Sequence, residues 1–220
     1  MHPALKRLLF QAFPTYTTYA RAVRYLVGDR NSYLHTTGWI RSLQEHRPVA
    51  RDGTAVPWMN YSMVALLRDR LTKDLRLFEF GSGYSTSFYA QLVGSVTSVE
   101  YDEAWVGIVR KTLPANVELL YQPSDTDGKY CRVGRSSGVS YDVVIIDGRD
   151  RVNCIKQSIE ALTDRGVIVL DDSERAEYQD GADYAIAKGF SALPIEGLKP
   201  TGNGIDRTTL FYRRDNCLGI

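Results

Sequence analysis

The sequence predicts an α/β fold: a doubly wound seven-stranded sheet, parallel except for an antiparallel last strand, behind an N-terminal helical appendage. Three observations predict it. From residue 75, seven short apolar runs rich in Val, Ile and Phe alternate with longer amphipathic stretches. Between the fourth and fifth runs, Val152, Ile155, Ile159 and Leu162 form a stripe at helical spacing. Between the last two runs lies only GLKPTGNGID, too short and too rich in Gly and Pro for a crossover helix. Strands that alternate with helices make a parallel sheet covered on both faces. A parallel neighbour needs a crossover of about a dozen residues or more, so the last strand must run antiparallel to its predecessor.

Taken in order, residues 1–72 read as helices and loops broken by Pro14, Gly28, Pro48 and the Asp52-Gly53 turn, and form the appendage or lid. Residues 73–220 form the sheet domain. The opening MHPALKRLLFQAF places Leu5, Leu8, Leu9 and Phe13 on one side of a helix and Lys6 and Arg7 on the other. That pattern serves either a helix docked on the domain or one lying on a membrane surface. After Pro57, Met59, Met63, Leu66, Leu67 and Leu71 recur at helical spacing, so a helix leads into the first strand. The strands are LRLFEF (75–80), VTSVEY (96–101), VELLYQ (117–122), YDVVIID (141–147), GVIVLDD (166–172), FSALPIE (190–196) and TTLFYRR (208–214). The stripe before the fifth strand is expected to close at Gly166. PSDTDGKYCRVGRSSG (123–138) reads as a mobile loop.

Composition removes several classes of function. The 220 residues carry 27 Lys plus Arg against 26 Asp plus Glu, a formal charge of +1, and 44% are hydrophobic. That balance excludes a generally basic nucleic-acid binder and an acidic disordered chain. Cys131, Cys154 and Cys217 are too few and too dispersed for a disulfide framework or a zinc site. No apolar run approaches the roughly 20 residues of a membrane span, and the start lacks a secretory pattern, so a cytoplasmic location is expected.

In an open α/β sheet, ligands bind beyond the carboxyl ends of the strands, where the strand order reverses. The first run ends in Glu79-Phe80-Gly81-Ser82-Gly83-Tyr84-Ser85-Thr86. Its two glycines allow a tight turn and a close approach to a ligand, and Ser85 or Thr86 can cap the next helix. The second run ends in Glu100-Tyr101-Asp102, with Glu100 seventeen positions after Gly83, where nucleotide-binding sheets place a carboxylate for ribose hydroxyls. The plainer alternative is a solvated strand end in which Asp102 caps the helix containing Trp105. A dinucleotide site wants a third glycine and an open helix N-terminus for pyrophosphate, but position 86 is Thr and Glu79 precedes the loop. Glu79 repels pyrophosphate and suits a ligand bearing an ammonium group.

On these residues, over 75–214, the sequence resembles the class I S-adenosylmethionine-dependent methyltransferases, which have a Rossmann-like fold. The resemblance implies that Glu79, Gly81, Ser82, Gly83 and Ser85 surround the methionine portion of S-adenosyl-L-methionine. It further implies that Glu100 holds the ribose and Tyr101 lies beside the adenine, with Ser124 or Asp125 as a further adenine contact.

The fourth and fifth strands end in Asp147-Gly148-Arg149-Asp150-Arg151 and Asp171-Asp172-Ser173. Carboxylates gathered on one rim need a cation, a proton or the nearby Arg149, Arg151 and Arg175. The arrangement resembles the Mg²⁺-dependent catechol-type O-methyltransferases, with Asp172 where that pattern has Asn. It implies that Asp147, Asp171 and Asp172 hold Mg²⁺; the alternative is an Arg-carboxylate network. The stretch 147–181 also resembles a bacterial group of methyltransferases of largely unassigned substrate, some linked to glycan or secondary-metabolite modification. That group's P-W-x-x-Y element matches Pro57, Trp58 and Tyr61 and is expected to cover the cofactor. Trp39, Trp58 and His46 are lid or acceptor residues, or else packing.

The expected reaction is O-methylation of a small hydroxylated, glycan or secondary-metabolite acceptor, with Asp147 and Arg149 catalytic. The rivals are an NAD(P)-dependent oxidoreductase and a non-catalytic domain that keeps the cofactor pocket. Nucleic-acid methylation through Arg21, Arg24, Arg30, Arg41, Arg47 and Arg51 ranks below a small acceptor at a charge of only +1.

Overall fold

A computed structural model describes residues 12–220. The pattern of Leu5, Leu8 and Leu9 with Lys6 and Arg7 lies outside the described residues. Seven strands form one sheet: β1 (Arg76–Phe80), β2 (Ser95–Glu100), β3 (Val117–Tyr121), β4 (Tyr141–Ile146), β5 (Leu162–Leu170), β6 (Ser191–Gly197) and β7 (Asp206–Tyr212). Their order is β3-β2-β1-β4-β5-β7-β6. β1 to β5 pair in parallel, whereas β7 runs antiparallel to both β5 and β6. The antiparallel strand is therefore inserted between β5 and β6 and leaves β6 at the edge.

Helices cover both faces. α1 (Pro14–Val23) runs into a π turn (Arg24–Gly28), followed by α2 (Tyr33–Thr36) and α3 (Trp39–Glu45). Among the described residues the remaining α-helices are α4 (Tyr61–Arg70), α5 (Tyr84–Leu92), α6 (Glu103–Val109), α7 (Lys129–Ser136), α8 (Arg151–Ser158) and α9 (Gln179–Ala187). Because successive side chains on a strand alternate faces, the apolar runs feed two cores. Leu77, Val96, Val143, Ile145, Val167 and Val169 pack under Met63, Val64 and Leu67 of α4 and Phe88 and Tyr89 of α5. Phe78, Phe80, Val144, Ile146, Ile168 and Leu170 pack under Tyr130 of α7, Ile155 of α8 and Ala185 of α9. Cys131 and Cys154 are buried and Cys217 partly so, all three unpaired.

Two expectations need correction. Residues 123–138 are not a bare loop, because they contain α7. The Asp125 carboxylate accepts from the Lys129 and Tyr130 amides at 2.7 and 2.9 Å and starts the helix. Tyr130 and Cys131 are then buried, and Gly134 lets the helix lie on the Phe78 ring. A helix of two turns leaves too short an apolar stripe to stand out. Nor does Gly166 close a helix. The crossover ends in a 3₁₀ turn, Ile159–Ala161, and β5 begins at Leu162. The register between β4 and β5 shifts after Tyr141 and Leu162, so Gly166 belongs to a strand irregularity, where an added Cβ would come within 2.8 Å of Leu162.

α4 is fixed by Asn60, whose side chain accepts from the Met63 amide at 2.9 Å. Its Nδ2 also donates to the Ile195 carbonyl at 3.1 Å and to Thr208 Oγ1 at 2.9 Å. The residue is fully buried, so truncation removes a cap and strands two acceptors. Asn60→Ala should lower the unfolding free energy by about 3 kcal/mol. Urea denaturation measures this, and a loss below about 1 kcal/mol would contradict the role assigned to Asn60.

Candidate functional site

The strand order reverses between β1 and β4, and a cleft of about 480 Å³ opens above their carboxyl ends. This volume is in the range of small-molecule sites. Glu79, Gly81, Ser82, Ser85, Glu100, Tyr101, Asp147 and Arg149 all line it. Gly83 does not line it. It takes a backbone conformation that only glycine enters readily (φ 155°) and backs onto the Trp105 ring. Gly81 (φ 95°) makes the turn out of β1.

Glu79 lies in β1 opposite Ser98 of β2 and is almost wholly buried. Thr86 Oγ1 donates to its Oε2 at 2.6 Å, Ser85 Oγ donates to its Oε1, and Ser98 Oγ lies 3.1 Å from Oε2. Burial nevertheless dominates and pushes the carboxyl up to about 7, with those hydroxyls opposing the shift and Asp147 adding to it. Glu100 is also buried, but its carboxylate is encircled by donors. Ser82 N and Oγ both reach Oε2 at 3.0 Å, and the Tyr101 and Asp102 amides reach Oε1 at 2.8 and 3.0 Å. The Gly83 amide donates to Thr86 Oγ1 at 2.9 Å. The two amides just before α5 are thus directed at side chains of the chain itself. Asp102 caps α6 through the Trp105 amide, as the plainer reading of that strand end expects, and the Trp105 indole donates to the Ser82 carbonyl at 2.9 Å.

Arg149 projects across the cleft mouth, its guanidinium 4.9 Å from the centroid of the Tyr101 ring and 3.1 Å from the Tyr101 hydroxyl. Asp147 lies at the floor. Burial pushes it up to about 6, opposed by Arg151 and reinforced by Asp172. Asp171 is raised well above the usual carboxylate range, first by burial and then by the charge of Asp147. Of the two adenine candidates, Asp125 is engaged in starting α7.

Asp147, Asp171 and Asp172 do converge, with one oxygen of each within 4.8 Å of the others. One oxygen each of Asp147 and Asp171 and both of Asp172 are already engaged, however. Arg151 is buried and donates to Asp147 Oδ1 at 2.8 Å and to the Asp171 carbonyl at 2.6 Å. Asp172 is paired with Arg151 at 3.5 Å, Arg175 at 2.5 Å and Lys199 at 3.0 Å. Burial alone would raise Asp172, but these three cations hold it below the ordinary value. Lys199 also pairs with Asp206, and Asp171 Oδ1 accepts from Thr208 at 2.6 Å. Mg²⁺ demands several open oxygen donors in near-octahedral array. With Asp147 and Asp172 already paired to two arginines and a lysine, the rim suits the Arg-carboxylate network better than such an ion.

The N-terminal aromatics are placed away from the cleft lining. The Trp39 indole donates to the Gly202 carbonyl at 2.8 Å, and the Trp58 indole to the Pro200 carbonyl at 2.9 Å. His46 ends α3 in a left-handed conformation. Pro57 is buried, and Trp58 and Tyr61 both bond to the segment between β6 and β7, the Tyr61 amide donating to the Leu198 carbonyl at 2.9 Å. The P-W-x-x-Y element therefore braces the 198–202 segment, which carries Lys199. Sequence reasoning missed Glu177 and Tyr178, which line the cleft, and Lys199 and Asp206, which complete the charge network. The Glu79-Ser98 contact follows from strand register alone, once β1 and β2 are known to be neighbours.

No protein-family model and no curated protein matches the chain. Solved structures do. A candidate O-methyltransferase from Klebsiella pneumoniae aligns with a TM-score of 0.54 at 18% identity, over 90% of this chain and 96% of that one. Precorrin-6y C5,15-methyltransferase from Geobacter metallireducens gives 0.54 at 18%, over 70% and 87%. A candidate methyltransferase from Streptococcus mutans in complex with SAH gives 0.50 at 13%, over 67% and 94%. At these identities the likeness is one of fold, the Rossmann-like fold of S-adenosylmethionine-dependent methyltransferases.

Two outcomes follow from the electrostatics. The melting temperature should be the same, within about 1 °C, in EDTA and in millimolar Mg²⁺, since Asp147 and Asp172 already have cations; a rise of several degrees with Mg²⁺ would contradict the pairing. Glu79 has a folded-state value raised above its unfolded one, so its stabilising effect is full below about 4.5 and is lost as the pH rises through about 7. Relative to wild type, Glu79→Gln should accordingly gain in melting temperature between pH 5 and pH 8. A difference that is flat across that window would show that Glu79 does not titrate there.

Proposed function

We propose that the protein is an S-adenosyl-L-methionine-dependent methyltransferase that methylates a hydroxyl of a small acceptor, a glycan unit or a secondary metabolite. The observation that carries this reading is the convergence of Glu79, Ser82, Glu100 and Tyr101 on one cleft with Asp147 at its floor. The cofactor supplies a sulfonium-bound methyl group. Glu79 provides negative charge for the ammonium of the methionine portion, with Gly81, Ser82 and Ser85 around it. Glu100 accepts from the ribose hydroxyls, and its carboxylate already holds hydroxyl and amide donors in that manner. Tyr101 flanks the adenine, with Arg149 on the same side of the cleft.

In-line transfer asks the protein to align two groups and to remove a proton. Asp147 is the base. With its carboxyl raised to about 6 it is largely ionised at neutral pH yet more basic than an exposed aspartate. Arg151 holds Oδ1 and leaves Oδ2 to accept the acceptor's proton. Arg175 and Tyr178 line the same cleft and are the groups that orient the acceptor. No metal enters the step.

Two features weigh against a nicotinamide dinucleotide. Glu79 repels pyrophosphate, and the Ser82 and Gly83 amides that pyrophosphate would need are committed to Glu100 and Thr86. A non-catalytic pocket has no use for a raised carboxyl at the reacting edge. Among the described residues no helix is long and apolar enough to cross a membrane. The three free thiols suit a reducing compartment, so the reaction is assigned to the cytoplasm.

The test separates binding from chemistry. Glu100→Ala should weaken S-adenosylhomocysteine about ten- to a hundred-fold, from the loss of charge-assisted hydrogen bonds. Asp147→Asn should leave that affinity within a few-fold while lowering transfer of tritiated methyl to a pool of hydroxylated acceptors about 10²–10⁴-fold. Wild-type transfer by Asp147→Asn would remove Asp147 from the mechanism, and unchanged affinity in Glu100→Ala would remove the cofactor assignment.

A further inference from the structure

We infer that the N-terminal arm, α1 with its π turn, is a docking surface for an anionic membrane surface, independent of the reaction proposed above. α1 buries none of its residues against the domain. Tyr16, Tyr19 and Val23, at i, i+3 and i+7, form one face and are 75%, 68% and 59% exposed. The π turn continues the exposed apolar surface with Tyr25, Leu26 and Val27. Thr17, Arg21 and Arg24, at i, i+4 and i+7, lie on another face. The arm is nonetheless fixed to the molecule. Ser32 Oγ donates to the Leu26 carbonyl at 2.7 Å, and His35 Nε2 lies 2.7 Å from the Val27 carbonyl. The next segment is tied to Gly202 through Trp39.

Charge selects the occupant. In a chain with 26 acidic residues, positions 1–28 contain none, while Lys6, Arg7, Arg21 and Arg24 are cationic. A helix with tyrosines and aliphatics on one face and arginines beside them matches the headgroup boundary of an anionic leaflet, where tyrosine rings settle and each cation gains from the surface potential. A nucleic acid fits less well, because the exposed surface alternates its tyrosines with the aliphatic Val23, Leu26 and Val27, which offer no ring for a base to stack on. A second copy fits less well too. A ten-residue helix is about 15 Å long, too short a strip for the roughly 800 Å² per partner of a stable interface.

Sedimentation of the full chain with phosphatidylcholine vesicles, with and without a quarter of phosphatidylglycerol, tests the inference. Binding is expected to the anionic vesicles only and to weaken with added salt. Arg21→Gln and Arg24→Gln should each lower it about five-fold, and the double variant Y16D/Y19D more than ten-fold. All of these variants should keep the wild-type S-adenosylhomocysteine affinity, since no residue of α1 or its π turn lines the cleft. The inference is overturned if anionic vesicles are not bound, or if binding is indifferent to these substitutions. It is equally overturned if the chain is a dimer that Y16D/Y19D splits, or if an RNA or DNA oligonucleotide is retained through the arm while vesicles are ignored.

Discussion

The buried carboxylate of Glu79 is the constraint around which the rest of the molecule is arranged. An acid in the first strand of a covered sheet costs several kcal/mol unless something meets its charge. Three hydroxyls do so in part: Ser85 and Thr86 from the turn and helix after β1, and Ser98 from the neighbouring strand. These contacts set the turn's geometry. Thr86 binds both Glu79 and the Gly83 amide, so the entry into α5 is locked to the acid beneath it. Ser82 is in turn locked to Glu100, and its carbonyl to Trp105. The result is a cleft whose two acidic ends are held rigidly by the same short turn. The hydroxyls do not fully offset burial, which leaves Glu79 poised near neutrality and responsive to a cationic ligand.

The far rim solves a similar problem differently. Asp147, Asp171, Asp172 and Asp206 crowd the ends of β4, β5 and β7, and the chain supplies its own cations, Arg151, Arg175 and Lys199. Asp172 is paired with three cations and held below the ordinary value, whereas burial raises both Asp147 and Asp171, with Asp172 adding to the first shift and Asp147 to the second. The network reaches outward as well. Asn60 donates to Thr208, which donates to Asp171, so the start of α4 is joined by hydrogen bonds to the buried carboxylate cluster beside the cleft. The P-W-x-x-Y element and the two tryptophans brace the 198–202 segment that delivers Lys199. The N-terminal segment thus affects the rim through packing and charge rather than by lining the cleft.

The strands were legible because each is a short apolar run closed by polar residues, and because GLKPTGNGID cannot form a crossover. The insertion of β7 between β5 and β6 was not legible, since pairing order depends on contacts distant in sequence. α7 escaped because its start is an Asp125 side chain bonding to amides four and five residues on, with only two turns of helix behind it. In the site, Glu79, Glu100 and Asp147 stood out as acids at strand ends, where open sheets bind ligands. The cation that meets Asp172 could not be read from spacing: Lys199 reaches it from 27 positions away. Glu177 and Tyr178 were missed because nothing in their local pattern distinguishes a cleft wall from a solvated helix end.

The central claim is that Glu79 and Glu100 together hold a nucleoside ligand bearing an ammonium group. Calorimetric titration of S-adenosylhomocysteine near pH 7, in two buffers of different ionisation enthalpy and against NAD as competitor, tests it most directly. The account predicts micromolar binding unaffected by NAD, accompanied by release of a fraction of a proton as the ligand's ammonium draws Glu79 into its ionised form. Absence of binding, displacement by NAD, or binding with no proton released would contradict it.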